Sequence, residues 1–328
     1  MLVLLFLSRA DPSDVEISWN HVPQILKQIV PPTFPDNEVN IIDYGAVPDG
    51  ETYCTDSFEK AIQDCHDSGG GRVVVPKGTF LTGAIHLKSN INLHIEKDAT
   101  ILFSNDKKKY IPVVFTRYEG TECYNYSPFI YAFEQDNIAI TGSGTRDGQA
   151  GFDNWWNWKG RKAPQVYDRA MQDLNLLRDM AEKGIAVDKR VFCDGHFLQA
   201  NFIQPYRCKN VLIEGITVLR SPMWQIHPVL CENVTVKNVT AISHGYNNDG
   251  CNPESCKNVL IKDCFFDTGD DCIAIKSGRS ADGRRINVPS ENIVVLGCTM
   301  RDGKISAAAA QKSMKIHADG LLWHYAQG

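Results

Sequence analysis

Several features are scarce or missing in this chain. No apolar run approaches the roughly 18 residues that a membrane helix requires, so no membrane partner is expected. No charge of one sign dominates: 34 Lys and Arg against 39 Asp and Glu leave a net charge of −5. Nothing global therefore suggests nucleic acid as a partner. No Cys-x-x-Cys or comparable ligand cluster is present, so no metal is expected from spacing. The 11 cysteines are an odd number in a long chain, which speaks against a dense disulfide framework. One or two bridges stay open, Cys251–Cys256 among them. The start, Met1 to Leu7 (MLVLLFL), is apolar but short and lacks a basic leader. It reads either as the remnant of a secretion signal or as a strand.

What is present is a repeat. At 328 residues and 43% apolar content the chain allows two ordinary domains or one elongated repeat domain. The 25 glycines and 15 prolines imply many turns. Five segments start with Asn and continue with aliphatics: Asn137-Ile138-Ala139-Ile140, Asn210-Val211-Leu212-Ile213, Asn233-Val234-Thr235-Val236, Asn258-Val259-Leu260-Ile261 and Asn292-Ile293-Val294-Val295. The last four begin at 210, 233, 258 and 292, in steps of 23, 25 and 34 residues. Short β-branched strands at such a period suit the coils of a parallel β-helix. Asn at one turn of every coil can build a ladder of side-chain amides. Cys208, Cys231 and Cys256 each precede a repeat Asn by two residues, while Cys264 and Cys298 each follow one by six. Small thiols in a recurring phase predict stacked columns in the core.

Gly71 to Pro76 and Asn90 to Ile95 resemble earlier coils. Before them, Thr55-Asp56-Ser57 opens a helix with Phe58, Ala61, Ile62 and Cys65 on one face; such a helix can cap the open end of a solenoid. Residues 152–197 interrupt the period. Val166, Ala170, Leu174, Leu177 and Ala181 have helical spacing there, so a helical insertion between coils is expected, with Trp155, Trp156 and Trp158 as its anchors.

The chemistry lies in Asn247-Asn248-Asp249-Gly250 and Thr268-Gly269-Asp270-Asp271-Cys272. Asp249, Asp270 and Asp271 fall within 23 positions on neighbouring repeats. Crowded carboxylates are costly, and a fold that concentrates them usually does so for acid/base work or for a cation. Lys276, Arg279, Arg284 and Arg285 follow within ten residues of one another and can hold an anionic substrate. His227 and His244 flank the same motifs.

With Asp43-Tyr44-Gly45-Ala46, Ser221-Pro222-Met223-Trp224, Cys256-Lys257-Asn258-Val259-Leu260-Ile261 and Ile275-Lys276-Ser277-Gly278-Arg279, these motifs resemble the polygalacturonase family of glycoside hydrolases, which cut pectin. The likeness runs from about residue 40 to about residue 303. It implies an all-β, right-handed parallel β-helix that hydrolyses α-1,4-galacturonosyl bonds with inversion. By resemblance Asp270 is the general acid, and Asp249 and Asp271 hold and activate water. Asn247, His227, His244, Lys276 and Arg279 are candidates for binding a pectin or oligogalacturonide substrate. The resemblance further implies no cofactor, a monomer, and a secreted or periplasmic location.

The pattern breaks near the end. Lys304-Ile305-Ser306 stands where the family carries His-Gly, and no Arg-Ile-Lys follows. Residues 1–39 therefore read as an N-terminal segment, 40–303 as the β-helix, and 304–328 as an atypical tail whose Ala307 to Ala310 favour helix. A shortened member with impaired activity is the simplest account. A non-catalytic or incomplete β-helix that binds carbohydrate is one alternative, and a calcium-dependent pectate lyase is another.

Overall fold

The computed structural model describes residues 19–160, 163–302 and, as backbone, 305–308, 314–317 and 320–323. Met1 to Leu7, Lys304 and Ala309–Ala310 lie outside the described residues. The chain winds through three parallel sheets. The first stacks eight strands, from Glu38–Asn40 through Gly71–Val75, Ile91–Ile95, Asp136–Gly142, Lys209–Glu214, Glu232–Lys237 and Lys257–Lys262 to Glu291–Leu296. The second stacks eight more, from Asp49–Tyr53 to Thr299–Met300. A third joins Ile85–His86, Ile130–Phe133 and Ile203–Tyr206. Isolated parallel bridges extend its line through Ile226, Cys251 and Ile273. Each strand pairs with its counterpart one coil away, which makes the architecture a parallel β-helix, and crossovers between parallel strands wind right-handed.

The repeat asparagines explain the regular stacking. Asn137 donates its amide to Asn90 at 3.1 Å, Asn210 to Asn137 at 2.9 Å, Asn233 to Asn210 at 2.6 Å, and Asn292 to Asn258 at 2.8 Å. All of them take positive φ, the left-handed turn that Asn tolerates better than most residues. The aliphatics that follow point alternately into the core: Val211 and Ile213, Val234 and Val236, Val259 and Ile261, Ile293 and Val295. Cys208, Cys231 and Cys256 sit at one register and are buried. All 11 cysteines are free thiols.

Among the described residues, four α-helices decorate the solenoid. Helix α1 (Val22–Leu26) folds back so that Val22, Ile25 and Ile29 pack on Val294, with Leu260 and Leu296 beside them. The N-terminal segment thus covers an outer face of the last first-sheet strands, and Glu38–Asn40 already pairs within that sheet. Helix α2 (Thr55–Asp67) buries Phe58, Ala61, Ile62 and Cys65 against the first coils. Helix α3 (Pro164–Glu182) carries the predicted insertion and buries Ala170, Leu174, Leu177 and Ala181. Trp155 and Trp158 are buried beside Tyr126 and Phe197, so the tryptophans anchor the insertion. Helix α4 (Ser280–Ile286) spans the basic stretch.

One expectation is corrected. Residues 305–308 do not begin a helix: Ile305–Ala308 is a strand parallel to Ile273–Lys276. A parallel ladder is held by backbone groups, so alanine side chains do not prevent it. Met314–His317 and Gly320–Trp323 form an antiparallel pair.

Candidate active site

Two turns of successive coils meet at the outside of the solenoid. Gly250 N donates to Asp271 O at 2.8 Å, and Cys251 N to Cys272 O at 3.0 Å. This stacking sets Asp249 beside the Asp270-Asp271 turn. A cleft of about 260 Å³ opens there, lined by Asp249, Asp270, Asp271, Asn247, Lys276 and Arg279 with Glu119, Gly120, Trp224, Glu254 and Gly278. No room exists for a side chain at Gly250, where a Cβ would meet Cys272 O at 2.4 Å.

Asp249 is only 3% exposed. Its Oδ2 accepts from Asn252 Nδ2 at 2.7 Å and lies 3.3 Å from Lys276 Nζ. Burial pushes its carboxyl up to about 6; Lys276 and Asn252 oppose that, and the charges of Asp270 and Asp271 add to it. Asp270 is raised too, by partial burial and then by the Asp271 charge. Its Oδ1 accepts from Asp271 N at 3.0 Å. The deepest carboxyl, rather than the one between two others, is therefore held furthest from its ordinary range. The reason is solvent: Asp270 stands exposed at the edge of the cleft, while Asp249 has lost its water.

Lys276 is mostly buried and stacks its ammonium 4.5 Å from the Trp224 ring. Arg279 is half exposed, 3.9 Å from Glu119. Asn247 accepts from Trp224 Nε1 at 3.2 Å and donates to Glu119 at 3.2 Å. Both residues of Arg284–Arg285 turn away: Arg284 pairs with Glu182, and Arg285 with Glu122 and Asp282.

Neither His227 nor His244 joins the cleft lining. His227 is 0% exposed and forms no part of the cleft lining. Its Nε2 meets Glu254 Oε2 at 2.8 Å, and its Nδ1 faces Gln204 at 2.9 Å. It follows the isolated bridge at Ile226 and sits beneath the hairpin of residues 114–125, whose Thr116 bonds Gln204 and whose Arg117 pairs with Glu254, so it holds Glu254 instead. His244 is exposed but lies beside Asp267, at 3.2 Å, outside the lining.

Sequence reasoning missed Glu119 and Glu254. Glu119 sits on the turn of a hairpin, Val114–Tyr118 with Thr121–Asn125, and gathers Lys159, Arg178 and Arg279. Burial would raise its carboxyl, but Lys159 and Arg178 hold it below the usual range. Glu254 is fully buried; burial pushes it up, but Arg117 at 3.2 Å and then His227 pull it down to about 2. Its Oε1 also accepts from Gly278 N at 3.0 Å, which fixes the turn before Arg279. Neither residue carries a motif, since each acts across more than 100 positions or from a fully buried network.

The sequence profile of glycosyl hydrolases family 28 matches residues 193–306. A hyperthermoactive exopolygalacturonase from Thermotoga maritima is 47% identical, covers 90% of this chain and 70% of its own, and superposes with a TM-score of 0.80. A probable polygalacturonase of Vitis vinifera is 28% identical over 271 residues, 79% of this chain and 48% of that protein. An exo-poly-α-D-galacturonosidase of Dickeya chrysanthemi is 27% identical over 285 residues, 81% and 46% of the two. The chain thus spans about half the length of the curated relatives it matches. With the β-helix, the cleft and these likenesses together, the chain belongs to glycosyl hydrolases family 28, the polygalacturonase family.

Proposed function

We propose that the cleft hydrolyses α-1,4-galacturonosyl bonds with inversion. The observation that carries the reading is the convergence of Asp249, Asp270 and Asp271 with Lys276 and Arg279 in one cleft. In this scheme Asp270 gives its proton to the glycosidic oxygen as the C–O bond breaks. Water adds to the anomeric carbon from the opposite face and loses its proton to Asp249 or Asp271. An inverting site needs that division between one protonated carboxyl and ionised carboxylate. Burial raises Asp249 and Asp270, which keeps a proton in the cleft at mildly acidic pH. Lys276 and Arg279 neutralise galacturonate carboxylates, and Trp224 offers a ring face.

The cleft has a wall at one end, which supports action on chain ends. Arg279 N donates to Gly120 O at 3.1 Å, and a Cβ on Gly120 would lie 2.7 Å from Arg279 Cβ. The hairpin turn and the Gly278-Arg279 turn thus close against each other, leaving no passage for a chain between them. The names of the Thermotoga and Dickeya relatives agree with an exo-acting site. The 328 residues hold neither the Gly-His-Gly nor the Arg-Ile-Lys of the family, so weak turnover is expected of this stretch alone. Secretion or a periplasmic location belongs to the same proposal.

The test is turnover of polygalacturonate and short oligogalacturonides, with product length and anomeric configuration read out. Hydrolysis that releases only chain-end units, and that Asp270→Asn lowers by about 10²–10⁴-fold, is the expected result, with higher turnover when a family-like C-terminal half is joined on. An unsaturated, ultraviolet-absorbing product would instead establish the lyase. Ligand binding without turnover in both forms would establish the carbohydrate-binding alternative.

A further inference from the structure

A second cluster lies at the second sheet of the same coils, and nothing in the hydrolytic scheme uses it. His244 follows the strand Thr240–Ser243, Asp267 lies in Phe265–Thr268, and Asp302 follows Thr299–Met300. These are three consecutive strands of the second sheet. A ring nitrogen of His244 and one carboxylate oxygen each from Asp267 and Asp302 lie within 4.8 Å of one another. No motif announces them, because they stand at positions 244, 267 and 302 and only the stacking of coils unites them.

Asp267 points to a ligand. Its side chain is 8% exposed, and its Oδ1 is buried without a hydrogen-bond donor. His244 Nε2 is 3.2 Å away but not in hydrogen-bonding geometry. The other oxygen, Oδ2, has Arg301 NH1 at 3.5 Å, on a side chain that is largely exposed. A desolvated carboxylate oxygen with no donor is unfavourable, and a cation resolves it. His244 and Asp302 are both exposed, so an ion can enter and water can complete its shell. One imidazole and two carboxylates suit zinc and its neighbours better than calcium, which favours an all-oxygen shell.

We propose that His244, Asp267 and Asp302 bind one divalent transition metal of the zinc type, which ties three successive coils together. The bond network gives this tie a consequence. The carbonyl of Asp302 accepts from Thr268 N at 3.1 Å and from Cys272 Sγ at 3.1 Å. The single Thr268 hydroxyl hydrogen lies between Asp270 O at 2.7 Å and Asp302 O at 3.1 Å. Fixing Asp302 against Asp267 therefore steadies the turn that carries Asp270. The metal's part is positioning, so the hydrolytic chemistry stays with the carboxyls. That last consequence rests on the function proposed above; the binding site does not.

The test uses the full chain stripped with chelator, then titrated with Co²⁺ as a spectroscopic probe and with Zn²⁺ in a thermal-unfolding series. One cobalt per chain is expected, with visible ligand-field bands and no sulfur charge-transfer band. His244→Gln and Asp302→Asn, both at exposed positions, should each weaken binding at least about tenfold while leaving the circular dichroism spectrum unchanged. Zinc should raise the Tm of the parent chain and not of the variants. The proposal is overturned by no saturable binding up to about 1 mM metal, by a thiolate band that places the metal on cysteine, or by binding that both variants retain. None of these readouts depends on turnover, so failure of the hydrolase reading leaves the test intact.

Discussion

Replacing Asp249 by Asn should stabilise this protein at neutral pH and leave it unchanged in acid. The ordinary carboxyl ionises near 3.8, whereas Asp249 in the fold does so at about 6, because burial outweighs the pull of Lys276 and Asn252. Between those values the folded chain holds a proton that the unfolded chain has released. Stability therefore falls as pH rises through this window, is spared the penalty below the lower value, and carries all of it above the upper one. A displacement of about two units corresponds to about 3 kcal/mol. The attraction of Lys276 is already inside that net figure. Part of the displacement comes from the Asp270 and Asp271 charges, so the recovered amount is expected to be about 1.5–3 kcal/mol. Asn keeps the shape and can still accept from Asn252. The assay is urea unfolding of parent and Asp249→Asn at about pH 3 and about pH 7.5, comparing the stability change at the two values. A gain at the higher pH and none at the lower is expected. An equal change at both pH values would refute the reasoning, because it would show that the effect of Asp249 on stability does not come from its ionisation. The variant should also lose turnover, as happens where a site accumulates charge at the expense of the fold.

Two further perturbations probe the surroundings. Lys276→Met removes the cation 3.3 Å from Asp249, so Asp249 should ionise about 1–3 units higher; carbon-13 carboxyl titration by NMR reads this directly, and an unmoved Asp249 would dissolve the pair. Glu254→Gln removes the nearer carboxylate from the buried Arg117 and leaves only Glu122 at 3.9 Å, so it should cost about 3–5 kcal/mol of stability in urea unfolding; a loss below about 1 kcal/mol would show that the Arg117–Glu254–His227 network is replaceable.

The sequence alone determined the solenoid, because its signal is local and repeated. Asn at a left-handed turn and aliphatics at alternate positions recur in coil after coil, and cysteines at a constant offset accompany several of them, so one coil predicts the next. The same repetition exposed Asp249, Asp270 and Asp271 as charges set where a repeat should be indifferent, and the spacing of Val166 through Ala181 marked the inserted helix. Tertiary structure decided what no repeat encodes. Whether a histidine meets water depends on what packs over it, and His227 is covered by a distant hairpin and serves Glu254. Whether Asp249 or Asp270 lost its water depended on how deep each turn sits, not on which residues are its neighbours in sequence. Glu119 reached the cleft from a hairpin 130 positions before Asp249, and His244, Asp267 and Asp302 met only through stacking. Pairing between coils brings together residues tens of positions apart, and burial then sets their charge; both are properties of the packed chain that a local pattern does not contain.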